Sequence, residues 1–203
     1  MIFSSLMSYK CIIFDLDNTL YEENLYLFSS YKTIGQLIEK KYNIPSKNIY
    51  DFLKTEFLQF GRKKIFNSLI EKYDISENEI HEFLIVLRNH KLSKKLNVFP
   101  EMMKLITFLI ENEIKICVLT NGNILQQKNK ISQIDWKGKE KYIQFFYANE
   151  IEPKPSPKGV LYILEKFKLN NQDVIFIGDS EVDMESAINA DIEFVNVREF
   201  LFN

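Results

Sequence analysis

The stretch YKCIIFDLDNT, Tyr9 to Thr19, decides the fold. Its first half is an apolar run of β-branched and aromatic residues bounded by polar ones, which predicts a strand buried on both faces. Its second half sets Asp15, Asp17 and Thr19 where that strand ends. In an extended chain residues two apart point the same way, so Asp15 and Asp17 are expected to project together from the carboxyl edge of the sheet. That edge is where open α/β sheets bind ligands. Asp-x-Asp-x-Thr arises by chance in about 1% of chains of this size and composition. The plain alternative is a pair of acids solvating a turn.

Outward from this strand, similar apolar runs recur at Ile114 to Thr120, Gln144 to Ala148, Asp173 to Gly178 and Glu193 to Val197. Helical patterns separate them. Pro100 to Asn112 puts Met103, Ile106 and Ile110 on one face, Pro157 to Phe167 follows a Ser-Pro start, and Val182 to Ala190 follows a loop. Strand alternating with helix predicts a parallel sheet covered on both faces. One segment, Glu22 to Ser93, breaks the rhythm: its apolar residues fall only at helical spacing, among them Leu27, Tyr31, Ile34 and Ile38. It reads as an all-helical insertion, residues 22–93, with 1–21 and 94–203 forming the α/β core. Ser46 and Ser76 are expected N-caps, Ser76 with Glu79 as a capping box, and Gly61 is expected to end a helix.

Composition narrows the classes. The chain has 203 residues, 46% of them hydrophobic and 27% charged, an ordinary globular balance. Lys+Arg 26 against Asp+Glu 28 gives a net charge of -2, so no basic field points to a nucleic-acid polymer or an acidic membrane. Cys11 and Cys117 both lie in strand-like runs and read as reduced core thiols. The opening MIFSSLMS has no basic n-region, and no later run approaches a membrane span, so the expected location is cytoplasmic.

Three further clusters close later strands. Thr120-Asn121-Gly122 presents a hydroxyl, an amide and backbone N–H groups in a turn before a helix starting near Asn123, an arrangement suited to an anion or simply a turn. Lys154 stands between Pro153 and Pro155, in a restricted backbone; alone it reads rather as a surface lysine in a stiff loop. Gly178-Asp179-Ser180-Glu181-Val182-Asp183 offers two carboxylates, although Ser180-x-x-Asp183 is also a helix-capping pattern.

Together, in this order and spacing, Asp15-x-Asp17-x-Thr19, Thr120-Asn121-Gly122, Lys154 and Gly178-Asp179-x-x-x-Asp183 resemble the four motifs of the haloacid dehalogenase-like hydrolase superfamily. The likeness runs from Lys10 to about Val197. It implies a Rossmann-like three-layer α/β/α core with a five-stranded parallel sheet, the first strand central, and a helical cap between motifs one and two. It also implies Asp15 as a nucleophile forming an aspartyl-phosphate and Asp17 as general acid and base. Mg²⁺ would be held by the Asp15 side chain, the Asp17 backbone carbonyl and Asp179. Thr120, Asn121, Gly122 and Lys154 would bind phosphate oxygens, with Asp183 orienting a metal water or pairing with Lys154, and Thr19 fixing the loop by a hydrogen bond. Asp17 would need to keep a proton at neutral pH, which neighbouring carboxylates favour. Since halide leaves without a proton, an acid at Asp17 disfavours dehalogenation. The stretch Phe14 to Tyr21 is similar to the branch containing pyrimidine nucleotidases and acylneuraminate phosphatases.

The resemblance therefore implies a Mg²⁺-dependent phosphatase for a small phosphorylated metabolite, a nucleotide or sugar phosphate, working as monomer or homodimer. A phosphomutase using the same aspartyl-phosphate and a non-catalytic metabolite-binding protein on the same fold are the alternatives. Tyr21 could stack on substrate or close the strand-cap junction, and Arg62, Lys63 and Lys64 could meet a second anionic group or form a solvated helix face. His81 and His90 read as surface residues, and Trp136 as an anchor for its loop.

Overall fold

The computed structural model describes residues 5–201. Five strands form one parallel sheet: β1 (Cys11–Phe14), β3 (Lys115–Thr120), β5 (Ile143–Tyr147), β6 (Val174–Gly178) and β7 (Glu193–Asn196), in the order β5-β3-β1-β6-β7. Cys11 pairs in register with Lys115 on one side and Val174 on the other, so β1 is central. All four of its residues are buried, which explains why the run is apolar throughout rather than alternating. Two short strands absent from the sequence reading, β2 (Leu96–Asn97) and β4 (Ile134–Asp135), pair separately.

Helices alternate with these strands or fall in one run before β2. In chain order they are α1 (Glu23–Tyr42), α2 (Ser46–Phe60), α3 (Ile65–Tyr73), α4 (Glu79–Asn89), α5 (Pro100–Glu111), α6 (Ile124–Ser132), α7 (Lys158–Phe167), α8 (Glu181–Asn189) and α9 (Arg198–Leu201). Cys11, Ile13, Cys117, Leu119 and Phe176 of the sheet pack with Val160, Ile163 and Leu164 of α7 and Ala187 of α8 in one core cluster. Burying each large aliphatic or aromatic side chain contributes about 1.5–3 kcal/mol. The buried face of α5 is Met102, Leu105, Ile106 and Leu109. Of the trio expected from the sequence, only Ile106 lies on it; Met103 and Ile110 are half-buried.

Residues up to Glu22 and from Lys95 onward make one compact unit, and Glu23–Lys94 a second. The second unit is the helices α1 to α4. Gly35 is where α1 passes the start of α2: a Cβ there would lie 2.7 Å from the carbonyl oxygen of Ser46. The expected caps differ. Ser46 is the first helical residue of α2, preceded by Pro45, because proline already supplies the helix-entry backbone. Ser76 does not cap α4, which starts three residues later; its hydroxyl accepts the Asn78 N–H at 3.3 Å. Gly61 ends α2 with φ 71°. His90 is buried rather than on the surface, with Nε2 2.8 Å from Ser29 Oγ and its ring edge-on to Tyr26. Among the described residues no helix is long and apolar enough to cross a membrane.

Candidate active site

The carboxyl edge of the sheet gathers the candidate residues. β1 stops at Phe14, and Asp15 continues its direction, donating its N–H to the Ile177 carbonyl at 2.9 Å. The buried Lys154 ammonium sits opposite. It donates to Asp15 Oδ1 at 2.6 Å, Asp183 Oδ1 at 2.5 Å and the Leu119 carbonyl at 3.0 Å. Those three bonds satisfy all its donors. Burial would lower the lysine pKa, but the Asp15 and Asp183 carboxylates outweigh that and hold it above its ordinary value. The surface position that the sequence around Lys154 suggests by itself is not what the structure has, since only 3% of its side chain is exposed.

Asp183 performs both roles that its sequence context offered. Its Oδ1 faces Lys154, while Oδ2 accepts from Ser180 Oγ at 2.6 Å and Ser180 N–H at 3.2 Å, closing the capping box of α8. Gly178 makes this approach possible, since a Cβ there would sit 2.6 Å from Asp183 Cβ and 2.7 Å from its Oδ2. Asp15, Asp179 and Asp183 each offer an oxygen, the three lying within 4.8 Å of one another. Hard carboxylate oxygens so grouped fit a cation of the Mg²⁺, Mn²⁺ or Ca²⁺ type. The crowding is visible at Asp15: burial first, opposed by Lys154 but reinforced by Asp183 and Asp17, pushes its carboxyl up to about 7.

Asn121 locks the lysine in place. Its Nδ2 donates to the Lys154 carbonyl and its Oδ1 accepts the Lys154 N–H, both at 2.9 Å. The Lys154-Pro155 peptide is cis. Thr120 is buried at the end of β3. The Gly122 N–H, expected to face an anion, instead donates to Asn149 Oδ1 at 2.8 Å. Thr19 likewise departs from expectation: its hydroxyl is buried with no hydrogen-bond partner.

Asp17 reverses an expectation outright. Its carboxylate does not share the Asp15 cluster. Oδ2 accepts from Lys130 Nζ at 2.8 Å and Gln127 Nε2 at 3.1 Å, and Oδ1 from the Tyr21 hydroxyl. Asn18, with φ 58°, turns the chain so that Tyr21 returns alongside Asp17. Burial would raise the Asp17 pKa, yet the Lys130 charge and the bonds from Lys130, Tyr21 and Gln127 hold it below the ordinary carboxylate value. The carboxylate is therefore ionised in this arrangement, not kept protonated by neighbouring acids.

Tyr21 is fully buried with its hydroxyl on Asp17, which removes it as a substrate-stacking candidate. In the helical unit, Arg62 pairs with the fully buried Glu23, and Lys63 is exposed. The sequence reading overlooked Gln127 and Lys130. Their signal was present: they lie three apart on α6, a helix with few apolar residues, and so share a face. Trp136 anchors its segment, its Nε1 donating to the Ile131 carbonyl at 3.0 Å.

The profile of the haloacid dehalogenase-like hydrolases matches residues 12–197 of this chain. A Clostridium perfringens protein provisionally named pyrophosphatase PpaX is 26% identical over 199 residues, covering 93% of this chain and 84% of the relative. A Thermotoga maritima protein named phosphorylated carbohydrates phosphatase is 21% identical over 192 residues, covering 91% and 82%. Among solved structures, a HAD phosphatase from Thermococcus onnurineus superposes with a TM-score of 0.62 at 19% identity, over 91% of this chain and 84% of that one.

Proposed function

The chain belongs to the haloacid dehalogenase-like hydrolase family, and on that premise we propose that it is a Mg²⁺-dependent phosphatase acting on a small phosphorylated metabolite. Asp15 is the nucleophile in this reading. One of its carboxylate oxygens attacks phosphorus, the ester oxygen departs, and water then cleaves the aspartyl-phosphate to release inorganic phosphate. The observation that carries the reading is the Lys154 ammonium held 2.6 Å from Asp15 and 2.5 Å from Asp183. A carboxylate attacking an anionic phosphate needs its own charge and that of the substrate screened, and a fixed buried ammonium supplies screening without reorganising.

Asp15, Asp179 and Asp183 would hold or orient the metal, which when bound supplies further positive charge for the phosphate oxygens. Thr120 stands at the same edge as the hydroxyl donor. Asp17 moves the proton. Ionised, as Lys130 holds it, it takes a proton from the attacking water, and that proton is the one it delivers to the leaving oxygen of the next substrate. An acid–base carboxylate beside the nucleophile supports ester hydrolysis over halide displacement, which needs no proton. The relatives named as acting on pyrophosphate and phosphorylated carbohydrates support a phosphorylated substrate for this chain.

The test is phosphate release from 4-nitrophenyl phosphate with Mg²⁺ present. Asp15→Asn should abolish it, and wild-type turnover should stop on chelation. Undiminished turnover by the variant would sink the reading. Screening hexose phosphates for an isomerised product without free phosphate separates hydrolysis from mutase chemistry.

A further inference from the structure

We propose that Lys130, together with Gln127, is the positioning residue for Asp17: the pair holds the proton-carrying carboxylate beside α6, apart from the Asp15-Asp179-Asp183 cluster. The inference rests on the phosphatase reading above and adds residues that the four motifs do not contain.

The first support is burial. On α6 the two buried residues are Gln127 and Lys130, both polar, with 3% and 1% exposure. A helix normally turns apolar side chains inward, and burying an ammonium without compensation is costly. This face is polar where it meets Asp17. The second support is geometry. Lys130 Nζ at 2.8 Å and Gln127 Nε2 at 3.1 Å converge on one oxygen, Asp17 Oδ2, while the Tyr21 hydroxyl takes Oδ1. Donors on both oxygens fix the side chain in position and in rotation. The cluster that could hold a metal correspondingly contains Asp15, Asp179 and Asp183 but not Asp17.

The third support is connection. Gln127 Nε2 also donates to the Asn121 carbonyl at 2.5 Å, and the Asn121 side chain makes the two bonds to the Lys154 backbone. One amide thus ties the Asp17 support to the segment that carries the Asp15 partner. A proton carrier and a nucleophile must keep a fixed spacing, and a misplacement of about 1 Å can lower the rate about a hundredfold.

The leaving group provides the test. Phenol is a poor leaving group that needs its proton, whereas 4-nitrophenol departs without one. On phenyl phosphate Lys130→Met should lower kcat/KM about ten- to a hundredfold, in line with the usual contribution of general acid–base groups. On 4-nitrophenyl phosphate kcat/KM, which ends at departure of the leaving group, should stay within about threefold of wild type. Lys130→Arg should restore most of the loss on phenyl phosphate. Equal losses on both esters, or no rescue by arginine, would overturn the proposal by marking Lys130 as merely structural. If Lys130→Met does not fold, Gln127→Leu carries the same expected split. Retained turnover in Asp15→Asn would sink the phosphatase reading instead. Independently of any turnover, a crystal structure of Lys130→Met with Asp17 still in its wild-type place would refute the positioning role.

Discussion

Replacing Lys154 by Met keeps most of the side-chain volume and deletes the one ammonium shared by Asp15, Asp183 and the Leu119 carbonyl. Both carboxylates are left nearly inaccessible, with side-chain exposures of 10% and 2%. Removing one partner of such a buried pair typically costs about 3–5 kcal/mol, and a chain of this size loses about 2–4 °C in Tm per kcal/mol. The loss should also depend on pH, with a definite sign. Asp15 already titrates at about 7, raised by burial, with Asp183 and Asp17 adding and Lys154 opposing. A carboxyl raised above its unfolded value contributes stability in acid and loses it as pH rises through the folded pKa. Taking Lys154 away removes that opposing pull, so Asp15 in the variant titrates higher still. The wild-type loss is complete a little above pH 7, whereas the variant goes on losing, by up to about 1.4 kcal/mol per pH unit. Denaturant unfolding in chelator at about pH 7 and about pH 8 measures both quantities. A deficit under about 1 kcal/mol, or one that does not widen between the two, would refute the account of Lys154 as the charge that makes Asp15 tolerable.

Three other outcomes are expected. Asn121→Ala removes both 2.9 Å bonds to the Lys154 backbone and should destabilise by about 1–3 kcal/mol; kcat should fall more than KM rises, as steady-state kinetics will show. Gly178→Ala drives a methyl to 2.6 Å from Asp183 Cβ, so calorimetry should find a loss of about 1–3 kcal/mol, and wild-type stability would contradict the close approach. Because protons compete with a metal for Asp15, the rise in Tm given by Mg²⁺ should grow from about pH 5 to about pH 8. Asp179→Asn should abolish that rise and Asp17→Asn should leave it. Equal responses from the two variants would place the metal wrongly.

The strands of the main sheet were legible because a strand buried on both faces has to be apolar throughout, and the Cys11–Phe14 and Val174–Gly178 runs are fully buried. The motif residues were legible because carboxylates at strand ends have little structural reason to be there. Which face of α5 turns inward was harder: Met102 and Met103 are adjacent, so either phase keeps a good apolar stripe, and only packing against the sheet chooses Met102. Ser46 and Ser76 show that a capping residue type is insufficient where a neighbouring proline or a later helix start decides the entry. Most instructive is Asp17. Its partners Gln127 and Lys130 lie more than a hundred residues away, in a polar stretch that looks solvated when read alone. Long-range ion pairs leave no periodic trace, so the direction of the Asp17 shift could not be read from the acids adjacent in sequence.

The two aspartates of one strand end thus have their carboxyls shifted in opposite directions by different surroundings. Around Asp17, the Lys130 ammonium and the neutral donors Gln127 and Tyr21 bond the carboxylate and hold its pKa below the ordinary carboxylate value against the burial that would raise it. Around Asp15, the carboxylates of Asp15, Asp179 and Asp183 gather where Lys154 is the ammonium bonded to two of them. The Asp15 carboxyl is pushed up to about 7 by burial first, with Asp183 and Asp17 adding and Lys154 opposing. A divalent ion beside Asp15 would favour its ionised form. The same ion beside Asp17 would meet a carboxylate already bonded to Lys130. Lys130 and Lys154, from two distant segments, thus give the two aspartates separate ammonium partners.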